Sequence, residues 1–152
     1  MTVRLPWSRI RTVLLDMDGT LLDLRFDNHF WRELVPQRYA ERHGLPLDRA
    51  RAEVVARTRM VEGTLAWYCL DYWTRELALD IVALKREIEH LIAVHPHVLD
   101  FLDALRAAGR RVVLVTNAHR QSLTLKMEKT RLAGHFDAIV CVACSENTQK
   151  QR

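Results

Sequence analysis

VLLDMDGTLLD, residues 13–23, joins a short apolar run to an acidic turn that contains a glycine. The run from Arg11 to Leu15 has the pattern of a buried parallel strand that leads into a loop. Asp16 and Asp18 occupy positions i and i+2 of that loop, so both carboxylates can point into one site. Such a pair suits a divalent cation together with separate nucleophilic and proton-transfer roles.

Gly19 and Thr20 complete the turn. Glycine permits the tight backbone that brings N–H groups to a phosphate. Alternatively, the segment could be a purely structural acidic turn with a cap at Thr20. The apolar strand that precedes it disfavours this interpretation. We therefore expect a functional loop at the carboxyl end of a strand.

The same pattern of an apolar run occurs twice more in the chain. RVVLV (111–115) precedes Thr116, and AIVCV (138–142) follows a short link. Helical periodicity extends over residues 98–108, before the second run, and over residues 120–130, between the second and the third. Apolar strands that alternate with helices predict an α/β fold with a parallel sheet.

The long segment between the first two strands lacks a convincing buried-strand run and has helical pieces instead. It is too long for an ordinary connection within an α/β unit, so it predicts a helical insertion. The expected division is core over 1–24, helical cap over 25–94 and core again over 95–152. The helical pieces are bounded at Pro36, Gly44-Leu45-Pro46, Gly63 and the vicinity of Asp80.

Aromatic residues concentrate in the predicted insertion, at spacings that suit packed helix faces. Two interpretations remain open: a small helical core, or an aromatic wall for a flat substrate group above the strand ends. Phe30, Trp31, Trp67 and Tyr72 are the candidates for that wall.

The formal net charge of +4 raises the possibility of nucleic-acid binding. Basic residues alternate with acids in 48–59 and again in 85–89, which is typical of solvated helix faces, and no nucleic-acid fold signature is present. We therefore expect no nucleic-acid partner. No apolar run is long enough to cross a bilayer and the first eleven residues lack a signal-peptide centre, so the cytoplasm is the expected location.

Cysteine and histidine usage gives no strong metal motif. Cys69, Cys141 and Cys144 are a sparse, odd set, for which free thiols are expected, and the C-x-x-C pair has no second pair beside it. The histidines have neither zinc-finger nor H-E-x-x-H spacing. His119 is a candidate neighbour of a phosphate because it follows the second strand closely.

The D-x-D-G-T sequence after an apolar strand resembles the first motif of the haloacid dehalogenase superfamily. That resemblance implies a Rossmann-like parallel sheet with an inserted helical cap, and a Mg²⁺-dependent phosphohydrolase. By it, Asp16 attacks phosphorus to form an aspartyl-phosphate and touches Mg²⁺. Asp18 acts as acid and base and also contributes to the metal site, and Gly19 and Thr20 shape the phosphate-binding loop.

VVLVTN resembles the second motif of the same superfamily, which implies that Thr116 and Asn117 bind the transferring phosphoryl group. The segments LLDLRFDNHFWRELVP, TLAWYCLDYW and VTNAH are similar to bacterial GMP/IMP nucleotidases of this superfamily. The narrower resemblance implies a purine 5′-nucleotide as substrate.

The chain departs from the family pattern after the third strand, where the family has a phosphate-clamping lysine and then paired aspartates. Here the sequence reads ACSENTQKQR (143–152), which predicts a truncated or frame-changed form with an incomplete core. The first expectation is impaired hydrolysis, at a rate at least about 100-fold lower than in a form that has the lysine and the paired aspartates. The alternative is a non-catalytic fragment that binds nucleotide or a protein partner, or self-associates through an exposed sheet edge.

Overall fold

Three parallel strands form the sheet of this protein, whose computed structural model describes residues 5–145. The strands are β1 (Thr12–Leu15), β2 (Arg111–Thr116) and β3 (Ala138–Cys141), in the order β1-β2-β3. Leu15 pairs with Leu114 and Thr116 pairs with Cys141, so the carboxyl ends of the strands meet at one edge. The predicted α/β fold with a parallel sheet is confirmed.

The central strand β2 is the most buried of the three. Val112, Val113 and Leu114 are all buried, and Leu114 is fully so. A parallel strand between two others has both faces covered, which is why its apolar residues run on without alternation. By contrast, the side chain of Leu14 on β1 is 67% exposed.

Eight α-helices accompany the sheet in the described part of the chain. Between β1 and β2 these are α1 (Arg25–His29), α2 (Val35–His43), α3 (Leu47–Val61), α4 (Leu70–Leu77), α5 (Ile81–Glu87) and α6 (Val98–Ala107). After β2 come α7 (Arg120–Thr130) and α8 (Val142–Ser145). Short 3₁₀ helices cover Trp7–Arg9, Leu65–Tyr68, Glu89–Leu91 and Ala133–His135. No helix among residues 5–145 is long and apolar enough to cross a lipid bilayer.

Pro36 does not interrupt the helical backbone, contrary to its expected role as a boundary. A π-helical turn over Phe30–Leu34 joins α1 to α2, and Pro36 lies at the start of α2. Proline lacks an N–H donor and its ring crowds the carbonyl four residues earlier, so a wider turn before it relieves both problems. Helix α2 ends at His43 and is capped by Gly44, whose φ of 63° is the left-handed conformation that favours glycine.

One hydrophobic cluster spans the sheet and the helical segment. Met17 from the first loop, Phe26, Phe30 and Trp73 from the helices and Leu114 from β2 are all at most 1% exposed and belong to it. Trp73 also donates its indole N–H to the Trp67 carbonyl at 2.9 Å, which satisfies the one polar atom of the buried ring. Several of the aromatic residues therefore serve as core.

The cysteines correct one expectation. Cys69 is a free thiol, as expected. Cys141 is disulfide-bonded, so the expectation of a free thiol is wrong there. The side chain of Cys144 lies outside the described part of the structure.

Candidate active site

The loop after β1 presents the two aspartates at the carboxyl edge of the sheet. Asp16 follows β1 directly and is exposed, and its Oδ1 accepts a hydrogen bond from the Met17 N–H at 2.7 Å. The Met17 carbonyl accepts from the N–H groups of Leu21 and Leu22 at 3.0 and 2.9 Å, which closes the turn. Asp18 is half-buried inside it. The loop therefore holds one carboxylate open to solvent and the other against the protein.

Gly19 adopts a φ of 75°, and a Cβ there would lie 3.3 Å from the Leu24 side chain. Both facts favour glycine, as the motif predicts. Gly19 borders a separate open groove of about 640 Å³, together with Arg25 and His95. Thr20 is exposed, and its N–H donates to the Met17 carbonyl at 3.4 Å.

Thr116 ends β2 and leaves the sheet at the same edge as Asp16. Its side chain is buried, and its Oγ1 accepts a hydrogen bond from the Ala118 N–H at 3.1 Å. That bond fixes the hydroxyl and leaves its own proton available for a phosphoryl oxygen. Asn117 is exposed beside it.

Lys126 is the buried cation of the site, at 1% exposed. Its Nζ lies 2.6 Å from Asp18 Oδ1 and 2.7 Å from Asp27 Oδ2. Helix α7 carries Lys126 and helix α1 carries Asp27, so this ion triad ties the core to the helical segment through the Asp18 carboxylate. Charge-assisted bonds of this length hold the carboxylate in one orientation.

Lys85 on α5 adds a second buried cation behind the first. Its Nζ lies 3.5 Å from Asp27 Oδ1, and it sits 5.0 and 4.4 Å from the ring centroids of Phe26 and Phe30. The expected solvated face over residues 85–89 is wrong at this position because Lys85 is 3% exposed. Two aromatic faces and one carboxylate replace the water that an ammonium group normally keeps.

Burial shifts the acidity of two groups in this network. Desolvation raises the pKa of the Asp18 carboxyl, against the lowering effect of Lys126. Desolvation also lowers the pKa of Lys85 to about 8, against the raising effect of Asp27.

Replacing Lys85 by methionine is expected to stabilise the fold at pH 7 by about 1–3 kcal/mol, because burying an ammonium is costly and Asp27 keeps Lys126 as its partner. The pKa of Lys85 is lower in the folded chain, about 8, than its ordinary 10.5. Between these values the unfolded chain binds a proton that the folded chain does not, so the free energy of unfolding rises with pH. Below about pH 8 Lys85 is charged in the folded chain, so the loss of stability from burying its ammonium group has its full value.

Urea unfolding of both proteins at pH 7, 8.5 and 10 checks this prediction. The advantage of Lys85→Met should be largest at pH 7 and shrink toward pH 10 as the parent loses its buried charge. A constant difference across this range would contradict it. Arg86→Met is a matched control, since Arg86 is the exposed neighbour on the same helix.

A cavity of about 450 Å³ opens beside the ion triad. Asp18, Asp27 and Lys85 contribute charged walls, and Trp31 and Trp67 contribute flat ones. Leu24, Asn28, Arg32, Val54, Val55, Thr58, Tyr68, Leu70, Ala118, His119 and Ser122 complete its lining. Its volume lies within the range of small-molecule sites.

The four aromatic candidates divide between this cavity and the core. Trp31 and Trp67 line the cavity. Phe30 is fully buried and meets Trp31 edge-on at 5.1 Å, so it supports the wall from behind. Tyr72 is partly buried and packs edge-on against Trp73 at 5.0 Å, outside the cavity lining.

Comparison with known proteins identifies the family of this chain. The sequence model of a family described as haloacid dehalogenase-like hydrolase matches residues 10–150. The chain belongs to this haloacid dehalogenase-like family. The match covers both strand-end motifs, and it confirms the family resemblance on which the site residues were chosen.

Curated relatives of this hydrolase family member are nucleotidases. The GMP/IMP nucleotidase YrfG of Escherichia coli (strain K12) is 42% identical over 140 residues, which are 92% of this chain and 63% of that protein. The GMP/IMP nucleotidase YrfG of Shigella flexneri matches to the same extent. The chain thus spans less than two thirds of the length of these relatives.

Solved structures share the fold of this hydrolase family member. A haloacid dehalogenase phosphatase from Thermococcus onnurineus has a TM-score of 0.75 at 23% identity, covering 87% of this chain and 62% of its own. The haloacid dehalogenase-type hydrolase YfnB from Bacillus subtilis, bound to magnesium, has a TM-score of 0.55 at 19% identity, covering 93% and 67%. At these identities the likeness supports the fold alone.

The aspartates present fit the Mg²⁺ that the family implies. Oxygen donors are the ligands that Mg²⁺ prefers, and an exposed Asp16 carboxylate at a strand end is open to it. Asp18 commits Oδ1 to Lys126, so its backbone carbonyl, or its second carboxylate oxygen, is the group left to hold the ion. When bound, Mg²⁺ would offset the charge of the phosphate and of the Asp16 carboxylate.

Sequence reasoning missed Lys126, Lys85 and Asp27. A signal was present for both lysines. Lys126 falls three residues after Leu123 and one before Met127, on the stripe of α7 that faces the core. Lys85 likewise interrupts the apolar stripe of Ile81, Leu84 and Ile88. A lysine on an apolar helical stripe is rarely buried without a partner, so each of these positions predicts a carboxylate nearby.

Proposed function

We propose that this protein is a Mg²⁺-dependent phosphomonoesterase that hydrolyses purine 5′-nucleotides through an aspartyl-phosphate on Asp16. One observation carries the proposal: Asp18, held by Lys126, borders an aromatic cavity, while Asp16 stands open in the same loop. The nucleotidase relatives support the choice of substrate class.

The first half-reaction transfers the phosphoryl group to the protein. An Asp16 oxygen attacks phosphorus, the bond from phosphorus to the nucleoside 5′ oxygen breaks, and Asp18 donates a proton to that leaving oxygen. Thr116 donates its hydroxyl proton to a phosphoryl oxygen, and the backbone N–H of Asn117 serves the same purpose. Lys126, as the cation next to Asp18, keeps that carboxyl aimed at the leaving group.

The second half-reaction returns Asp16 to its starting state. A water molecule attacks phosphorus, Asp18 accepts its proton, and the bond between phosphorus and the Asp16 oxygen breaks to release inorganic phosphate. Asp18 thus ends protonated, with a proton taken from water in place of the one that left with the nucleoside, and no reactant other than water is needed.

The cavity has the surfaces that a 6-oxopurine base requires. Trp31 and Trp67 offer aromatic faces on which a base can stack. Arg32 lines the same cavity, and a guanidinium matches the O6 and N7 acceptors that GMP and IMP share. AMP presents an amino group in place of O6, so we expect the site to discriminate against it.

The deciding experiment measures phosphate release from GMP, IMP, AMP and ribose 5-phosphate, each with and without Mg²⁺. The proposal requires Mg²⁺-dependent release with GMP and IMP preferred over AMP. Equal rates on all four substrates would remove the purine assignment. The enzymatic assignment would be wrong if no form of the protein released phosphate. These forms include one that is extended by the remaining sequence of the Escherichia coli relative.

Replacing Trp67 by alanine is expected to raise KM for GMP by about 5- to 150-fold, since base stacking contributes about 1–3 kcal/mol. KM for ribose 5-phosphate, which has no base, should change little. The Trp67 backbone carbonyl still accepts the Trp73 indole bond, so the fold should persist. Trp7→Ala is the control, because Trp7 is 41% exposed and does not line the cavity. Equal effects on both substrates would place Trp67 outside the base site.

The exposed edge strands favour association with another chain as a second candidate. Leu14 on β1 and Val140 on β3 are 67% and 43% exposed, and both belong to strands with one described neighbour. Unpaired edges with apolar side chains are sites of association. Light scattering over a range of concentrations tests this, and a mass that stays monomeric would exclude self-association.

A further inference from the structure

Three potential metal ligands converge at the junction of the helical segment and the core. They are the Cys69 thiol, a carboxylate oxygen of Asp71 and a ring nitrogen of His119, and these donor atoms all lie within 4.8 Å of one another. His119 Nε2 lies 3.9 Å from Asp71 Oδ2. The sequence gives no hint of this set, because His119 stands far along the chain from the other two.

Each donor is placed by the start of a helix. Cys69 precedes α4, and its sulfur accepts a hydrogen bond from the Tyr72 N–H at 3.5 Å, while Asp71 lies in the first turn of α4. His119 precedes α7, and its Nδ1 accepts from the Gln121 N–H at 3.4 Å, which turns Nε2 toward Asp71. The backbone thus sets the positions of the sulfur and the imidazole.

We propose that Cys69, Asp71 and His119 bind a divalent cation of the zinc class at a site distinct from the Mg²⁺ site. Sulfur, imidazole and carboxylate together are a donor set that suits Zn²⁺, whereas Mg²⁺ prefers oxygen alone. Three protein ligands leave the fourth tetrahedral position for water. Asp16 and Asp18 take no part in this site.

Small local movements complete the coordination. Zinc bonds of about 2.0–2.3 Å require donors that lie closer together than 4.8 Å. Asp71 has a side chain that is 66% exposed and can rotate toward the ion. Coordination through Nε2 places the ring proton on Nδ1, so the long bond from Gln121 is given up. The Cys69 sulfur keeps its bond from Tyr72, because a bound thiolate also accepts from N–H.

A bound ion would connect the helical segment to the core along the substrate cavity. Leu70, between Cys69 and Asp71, contributes to the cavity wall formed by the helical segment, and Ala118 and His119 contribute to the wall formed by the core. Cross-linking these two walls restrains their separation. If the proposed nucleotidase function holds, zinc at this site slows substrate entry and product release without displacing Mg²⁺.

The test uses the whole chain, freed of metal, in titrations with Zn²⁺ by calorimetry and with Co²⁺ by absorption spectroscopy. With excess Mg²⁺ present to occupy the site at Asp16 and Asp18, we expect one zinc or cobalt ion per chain and a thiolate-to-cobalt charge-transfer band. Cys69→Ser should abolish that band, and Cys69→Ser and His119→Gln should each weaken zinc binding by at least about 10-fold. His90→Gln, an exposed histidine outside the cluster, should leave binding unchanged.

Two results would overturn the site: no stoichiometric ion in the parent chain, or unchanged binding in Cys69→Ser, which would assign the ion to other donors. Thermal melts without metal confirm that the variants fold, and Asp71→Asn supplies a milder change at an exposed ligand. Because binding is measured without substrate, a failure here is separate from a failure of the nucleotidase proposal.

Discussion

Replacing Asp16 by asparagine is expected to lower kcat/KM for GMP by at least about 1000-fold, since an enzyme that loses its nucleophile keeps only binding and electrostatic effects. The amide oxygen cannot form the acyl phosphate. Asp16 is exposed, and its carboxylate accepts from the Met17 N–H within its own loop, so the fold should not change. Phosphate release in the presence of Mg²⁺ measures the effect.

A second readout separates nucleophile loss from metal loss. Acid quenching during turnover of GMP labelled in its phosphate should leave label on the parent protein and none on Asp16→Asn. Asp48→Asn is the matched control, because Asp48 is exposed in the first turn of α3, outside the cavity lining. Label retained by Asp16→Asn would assign the nucleophile to another residue.

The predictable part of this molecule is local in sequence. Residues 13–23 carry their own strand, turn and carboxylates, so the loop could be predicted without knowledge of any distant contact. The same holds for the strand that ends at Thr116. Parallel strands must end at a common edge, and this geometric rule brings the two motifs together.

The less predictable part depends on contacts between distant residues. Asp18 and Lys126 are 108 positions apart, and their ion pair exists because α7 packs across the first loop. Cys69 and His119 become neighbours only when the helical segment meets the core. Periodicity identifies a buried helix face, yet it does not say which polar group on another element that face will meet.

The helical segment shows why composition alone left two interpretations of its aromatic residues. Phe30 and Trp73 are core, whereas Trp31 and Trp67 line the cavity, where their role as a wall for a substrate stays a prediction. Neighbouring residues on a helix point in different directions. Phe30 and Trp31 are both aromatic, yet their directions place one in the core and the other at the cavity.

Replacing Lys126 by methionine is expected to destabilise the fold by about 3–5 kcal/mol, because it leaves the half-buried Asp18 carboxylate without a cation and leaves Asp27 with Lys85 alone. Asp18 and Asp27 would then face each other across the vacated position without their shared cation. The same change is expected to lower kcat/KM for GMP by about 100- to 1000-fold, through loss of a fixed positive charge beside the reacting group. Urea unfolding and phosphate release measure the two effects.

The double variant Lys126→Met/Asp27→Asn distinguishes the two roles of Lys126. Removing the Asp27 charge relieves repulsion with Asp18, so part of the lost stability should return, whereas activity should not, because the Asp18 carboxylate still lacks its orienting cation. Lys129→Met is the matched control on the same helix: Lys129 is 42% exposed and 4.0 Å from Glu89, and such surface pairs contribute about 0–1 kcal/mol. If Lys126→Met unfolded at the same urea concentration as Lys129→Met, the ion triad would not be a stabilising feature of the fold. If activity recovered together with stability in the double variant, Lys126 would act on catalysis through folding alone.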